Sequence, residues 1–144
     1  MNERIELDIR VPNETRYLSL IGKIGEFLAQ TLQKYRGDRE ELAYHINLVL
    51  TEAVANAIRH ARAEERVEEV HITISIHDHQ LIIRVYDQGK GFDICSLPPT
   101  DQEEIDEKCL QDHGRGIYIM RTLMDRVSYR KMPQGNVLEM EKSL

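Results

Sequence analysis

The chain has 144 residues, of which 41% are hydrophobic, and a formal net charge of -6 at pH 7. This length predicts one domain, residues 1–144, with an ordinary core, and the acidic balance argues against nucleic acid as a partner, because phosphate binding requires a basic surface. No run approaches the roughly 20 apolar residues that span a bilayer. The first residues, Met1-Asn2-Glu3-Arg4, lack the pattern of a signal peptide, and Cys95 and Cys109 form no C-x-x-C pair. We therefore expect a cytoplasmic protein with reduced thiols and no membrane partner.

Hydrophobic periodicity divides the chain into elements. Apolar and polar residues alternate in runs that predict half-buried strands, and apolar residues recur every three or four positions in runs that predict amphipathic helices. In chain order, the prediction is a strand at 5–11, a helix from 13 to about 35, a second helix after 38, strands at 70–76 and 81–86, a helix at 114–125, and strands at 127–129 and 137–140. Asn13-Glu14-Thr15-Arg16 is predicted to cap the first helix, and Arg36-Gly37-Asp38 to cap the second. Residues 93–113 show no clear period and are predicted to form a loop.

The order of these elements indicates the fold class. Two helices fall between the first and second strands, a hairpin follows, and the chain closes with a helix and two strands. This is not a βαβαβ order. It predicts an α+β protein, a two-layer α/β sandwich with one mixed, mostly antiparallel sheet and its helices on one face.

The second helix carries the first candidate site residues. Glu52 and Asn56 are four apart and share one face, and Arg59 follows on the same side. A carboxylate, an amide oxygen and a guanidinium provide a base, a ligand for a hard cation and a partner for phosphate. A solvated polar edge on an amphipathic helix is the alternative for this segment taken alone.

Two glycine-containing segments follow. In Asp87-Gln88-Gly89-Lys90-Gly91-Phe92, alternate glycines after a strand allow the backbone to approach a flat ligand. In Asp112-His113-Gly114-Arg115-Gly116-Ile117, the glycines open a helix, where free N–H groups can bind phosphate. Each segment alone could be an ordinary turn or helix start. Neither completes a Walker or a Rossmann motif.

Taken together and in this order, the three segments resemble the N, G1 and G2 boxes of the GHKL (Bergerat-fold) ATPases. The boxes are Glu52-x-x-x-Asn56, Asp87-x-Gly89-x-Gly91, and Gly114-x-Gly116 opening a helix after an ATP lid at about 93–113. Within that superfamily the chain is most similar to bacterial anti-sigma factors that are also serine-protein kinases. The resemblance covers nearly the whole chain.

The resemblance implies ATP and Mg²⁺ as cofactors and a kinase activity. Asn56 would hold Mg²⁺, Glu52 would deprotonate a serine of a small antagonist protein, and Asp87 would bind the adenine amine. We add Arg59 and Arg115 as candidate phosphate contacts. The remaining residues implied to bind the nucleotide are Gly89, Gly91, Gly114 and Gly116. The resemblance implies three partners: the antagonist protein as substrate, a sigma factor as a second target, and a second copy of the chain in a homodimer.

Two other functions fit the same boxes. One is a binding module that nucleotide tunes without kinase activity, and the retained Glu52 argues against it, because a pure binder has no need of a base. The other is the ATPase domain of a split histidine kinase, for which His45 lacks the acidic residue and proline that follow a phosphoacceptor histidine. One departure from the family pattern concerns adenine: many relatives have Gly-Thr before the last strand, where this chain has Gly135-Asn136.

Overall fold

The computed structural model describes residues 4–64, 69–87, 116–132 and 135–144, with side chains except at 60–64, 87 and 132. These ranges contain five strands, three α-helices and one short 3-10 turn. The elements are β1 (Arg4–Pro12), the 3-10 turn (Thr15–Tyr17), α1 (Leu18–Gln30), α2 (Arg39–Glu64), β2 (Glu69–His77), β3 (Gln80–Asp87), α3 (Gly116–Leu123), β4 (Arg126–Met132) and β5 (Gly135–Ser143). Every predicted strand and helix is therefore present, and the predicted loop at 93–113 lies outside the described residues.

The five strands form one sheet in the order β1-β2-β3-β5-β4. All four pairs in the described part of the chain are antiparallel. The predicted α+β class is confirmed, and the sheet is wholly antiparallel where a mixed, mostly antiparallel one was expected. The β2–β3 hairpin turns at Asp78 and His79, which both have positive φ, 51° and 67°. Two consecutive left-handed residues match the right-handed twist of the flanking strands.

The helices cover one face of the sheet, as predicted. On β2, Ile72, Ile74 and Ile76 are almost fully buried, whereas the residues between them remain partly accessible. This alternation follows from the period of two in a strand, which sends successive side chains to opposite faces. The uncovered face carries polar pairs, including His71 Nε2 at 2.9 Å from Asp8 Oδ1.

Two glycines of α1 allow it to lie very close to α2. A methyl group on Gly22 would collide with the side chain of Asn47, and one on Gly25 would lie 2.5 Å from Leu50 Cδ1. The sequence indicates only that these glycines weaken the helix. The packing shows what they provide, which is room for a neighbouring helix.

The predicted start and end of the first helix were wrong. The N-cap position of α1 is Tyr17, and no side chain caps it, because the preceding 3-10 turn supplies the backbone bonds instead. The helix ends at Gln30, five residues before the predicted end. Leu32 is nevertheless buried, from a turn in which its N–H donates to Ala29 O at 3.2 Å. Apolar periodicity reports burial, and a tight turn can bury a leucine as well as a helix does.

The predicted cap of α2 is confirmed. Asp38 Oδ1 accepts bonds from the backbone N–H of Glu40 at 2.9 Å and of Glu41 at 3.3 Å. A side-chain oxygen at this position satisfies free N–H groups of the first turn. Within the described residues, no helix, including the 26-residue α2, is long and apolar enough to cross a membrane.

Candidate functional site

Three of the predicted site residues lie one after another on the same face of α2. Glu52 is partly accessible, Asn56 is only 2% exposed, and Arg59 is exposed. They follow one another at four and three residues, so all three lie on the same side. Asn56 is one of only two buried polar residues in the described chain, the other being Asn136.

The start of α3 packs directly on Glu52 and Asn56. A methyl group built on Gly116 would lie 2.9 Å from Glu52 Oε2 and 3.3 Å from Asn56 Nδ2. The first N–H groups of a helix have no partner within it and carry a partial positive charge. The contact therefore brings a carboxylate, an amide and the start of a helix together at one point.

The amide of Asn56 is unsatisfied within the described chain. Its Nδ2 is buried and makes no hydrogen bond. A buried polar group without a partner costs about 1–3 kcal/mol, so such groups are rare unless a ligand completes them. Turning the amide by 180° presents its carbonyl oxygen at the same position. Oxygen is the donor that Mg²⁺ prefers, so Asn56 fits the predicted metal.

Asp87 and Asn136 meet on neighbouring strands at the same end of the sheet. Asp87 is the last residue of β3, and Asn136 is its direct partner on β5. Asn136 is 5% exposed. The chain therefore has a buried amide on the strand position paired with the predicted adenine residue, where the family resemblance implies a threonine. An amide both donates and accepts hydrogen bonds, as a hydroxyl does.

The remaining predicted site residues cannot be placed. Gly89, Gly91, Gly114 and Arg115 lie outside the described residues, as does the lid. The structure thus brings Gly116 to Glu52 and Asn56, and it leaves the other glycines and Arg115 as predictions. Arg59 lies on the expected face of α2 and is exposed.

A polar network behind Glu52 was not predicted. Thr51 Oγ1 donates to Asn47 Oδ1 at 3.1 Å, and Asn47 Nδ2 donates to Glu26 Oε2 at 2.8 Å. Lys23 Nζ lies 3.1 Å from the same oxygen. Its bond to Lys23, and then that to Asn47, lowers the pKa of Glu26 below the usual value. The network joins α1 to the turn of α2 that precedes the site; the four-residue spacing of Asn47 and Thr51 was its signal in the sequence.

Comparison with known proteins identifies the class. The family model of the histidine kinase-like ATPase domain matches residues 15–142. The chain therefore belongs to that family, and its resemblance to the GHKL ATPases is confirmed. ATP use follows from the same family.

Relatives within the family are more specific. The chain is 29% identical over 126 residues to the serine-protein kinase RsbW of Bacillus velezensis, covering 84% of this chain and 75% of the relative. It is 28% identical over 143 residues to RsbW of Bacillus licheniformis, covering 96% and 85%. The predicted class of enzyme, a protein serine kinase, is confirmed by these relatives.

A solved structure shows the same fold. The SiaB-SiaC complex from Pseudomonas aeruginosa contains a chain that superposes with a TM-score of 0.62 and 14% identity, covering 96% of this chain and 89% of that one. At this identity the likeness concerns the fold alone. It agrees with the two-layer architecture described above.

Proposed function

We propose that this kinase uses ATP with Mg²⁺ to phosphorylate a serine of a small antagonist protein, and that it acts as an anti-sigma-type regulator in the cytoplasm. The observation that carries the proposal is the meeting of Glu52, the unsatisfied Asn56 and the start of α3. Phosphoryl transfer depends mainly on positioning and on charge stabilisation, and this arrangement offers both.

Each of the proposed site residues has its own role in phosphoryl transfer. Asn56 would hold Mg²⁺, which when bound neutralises charge on the phosphates. Glu52 accepts the proton of the serine hydroxyl, whose oxygen forms a bond to the γ-phosphorus as the bond to the bridging oxygen of ADP breaks. Asp87 accepts a hydrogen bond from the adenine amine. Gly89, Gly91, Gly114, Arg115 and Gly116 would contact the nucleotide, with Arg59 as a further phosphate contact.

The partner proposal draws on the relatives. The RsbW relatives are named serine-protein kinases. These names support a protein substrate. Sequestration of a sigma factor is the second role that the resemblance implies.

Transfer to a protein tests the proposed function. Proteins captured from the native cell extract with and without ATP would be identified by mass spectrometry, and each candidate antagonist incubated with the kinase, radiolabelled ATP and Mg²⁺. We expect label on a serine of one small protein, and none when Mg²⁺ is chelated. A chain that labels no candidate but binds a sigma factor in a nucleotide-sensitive manner would instead be a binding module.

A homodimer is also proposed, through one face of α1. Leu20, Ile24 and Phe27 are spaced four and three apart on the side of α1 opposite Gly22. Leu20 is 50% and Phe27 66% exposed, whereas Ile21, Leu28 and Ala29 of the same helix are buried. The edge strand β1 lies at the end of the same sheet. An exposed apolar stripe of this kind commonly marks a protein contact.

The dimer predicts a specific loss. The parent chain should have a dimer mass in light scattering at micromolar concentration, and Phe27→Lys should weaken association at least roughly tenfold, because buried aromatic residues carry much of the energy of an interface. Tyr44→Lys is the matched control, since Tyr44 is 64% exposed but lies on α2. A monomeric parent would refute the proposal.

A further inference from the structure

The feature that carries a further inference is the contact between the first residue of α3 and the carboxylate of Glu52. A methyl group on Gly116 would lie 2.9 Å from Glu52 Oε2, and Cβ atoms in proteins essentially never lie within 3.0 Å of such a neighbour. The same methyl group would lie 3.5 Å from Glu52 Cβ, which is an ordinary contact. The collision therefore involves the carboxylate end of Glu52 and spares its stem.

The same methyl group would disturb the neighbouring amide of Asn56 less than it disturbs Glu52. Asn56 Nδ2 would lie 3.3 Å from the added carbon, a separation that a shift of a few tenths of an ångström relieves. Gly116 itself is buried, and its φ angle does not lie in the positive region that favours glycine. The turn that begins α3 thus does not need glycine for its conformation. It needs glycine for the space beside Glu52.

We propose that Gly116 is a positioning residue for Glu52: the missing side chain leaves the space in which the carboxylate lies against the start of α3. The inference rests on the proposed function, in which Glu52 is the base. It gives Gly116 a role separate from contact with the phosphates.

We expect Gly116→Ala to slow phosphoryl transfer without unfolding the protein. In Gly116→Ala the carboxylate can rotate away, because it is the far end of a flexible side chain, and the rest of the contact can adapt. The base then lies out of place relative to the incoming hydroxyl. A misplacement of about 1 Å can cost as much as ~10²-fold in rate, so we expect kcat to fall by roughly 10- to 100-fold. KM for ATP and the melting temperature should change little.

A double-mutant cycle separates this role from phosphate contact. Single-turnover transfer would be measured for the parent, Gly116→Ala, Glu52→Gln and the double variant. If Gly116 acts through the base, Gly116→Ala lowers the rate in the parent but by less than about threefold once Glu52→Gln has removed the base. An equal loss in both backgrounds, or a raised KM for ATP with kcat unchanged, would overturn the proposal.

A second variant keeps the test decisive if Gly116→Ala is unstable. Glu52→Asp shortens the side chain by one methylene and withdraws the carboxylate from the added methyl group. The Gly116→Ala, Glu52→Asp double variant should then regain the melting temperature that Gly116→Ala lost; no regain would contradict the proposed contact. Gly37→Ala is the control, because its added carbon would meet only the Tyr35 side chain. If Glu52→Gln alone transfers at the parent rate, the base lies elsewhere and the proposed role of Gly116 fails, whereas a parent chain that labels no antagonist would contradict the proposed function itself.

Discussion

Glu52→Gln is expected to lower phosphoryl transfer to the antagonist by ~10²–10⁴-fold, the usual contribution of a positioned general base. Glutamine keeps the size and shape of glutamate and one acceptor oxygen, but its amide cannot take up the proton of the serine hydroxyl. The side chain lies one helical turn from Asn56 and beside the start of α3, where the transferred phosphate would be bound. The rate would be measured with radiolabelled ATP under single-turnover conditions, so that product release does not mask the chemical step.

Binding should remain nearly unchanged in this variant. Asn56, Asp87 and the glycine segments are untouched, so the affinity for ATP measured by calorimetry should stay within a few-fold of the parent. Transfer at the parent rate would show that the base lies elsewhere. A large loss of ATP affinity would mean that Glu52 binds the nucleotide rather than acting in the chemical step.

Asn56→Ala should behave differently, losing Mg²⁺-dependent ATP binding and transfer together. The variant removes the only side chain proposed to hold the metal. Loss of a residue that merely supports a metal ligand typically costs about 10- to 100-fold in metal affinity, so loss of the ligand itself should cost at least as much. The loss should appear as a missing rise in melting temperature when ATP and Mg²⁺ are added, since a ligand stabilises the state that it binds.

The stability of Asn56→Ala without nucleotide gives a second readout. The substitution deletes a buried amide whose Nδ2 makes no hydrogen bond, so it removes a cost of about 1–3 kcal/mol and offsets part of the loss from the smaller side chain. We expect the melting temperature to remain near that of the parent. Asp87→Asn is the comparison, because it should weaken ATP binding whether or not Mg²⁺ is present. A strongly destabilised Asn56→Ala would show that the amide serves the fold.

The elements of this fold could largely be predicted from the chain, because their signals are local. Strands β1, β2 and β3 alternate clearly, and their core-facing residues are those that the alternation indicates. The cap at Asp38 is likewise a local signal and was confirmed. The end of α1 was not predictable in the same way, because Leu32 contributes to the core from a turn and continues the apolar period beyond the helix.

The same distinction between local and long-range signals applies to the candidate site. The four-residue spacing of Glu52 and Asn56 is enough to predict that they share a face of α2. The folded chain was needed to show that Gly116 lies against both of them and that Asn136 pairs with Asp87 on the neighbouring strand. These contacts join residues far apart in the chain, and they depend on the order of the strands and on how closely the helices pack. No local sequence pattern reports the distance between Gly116 and Glu52. The need for glycine beside the proposed base therefore becomes visible only in the folded molecule.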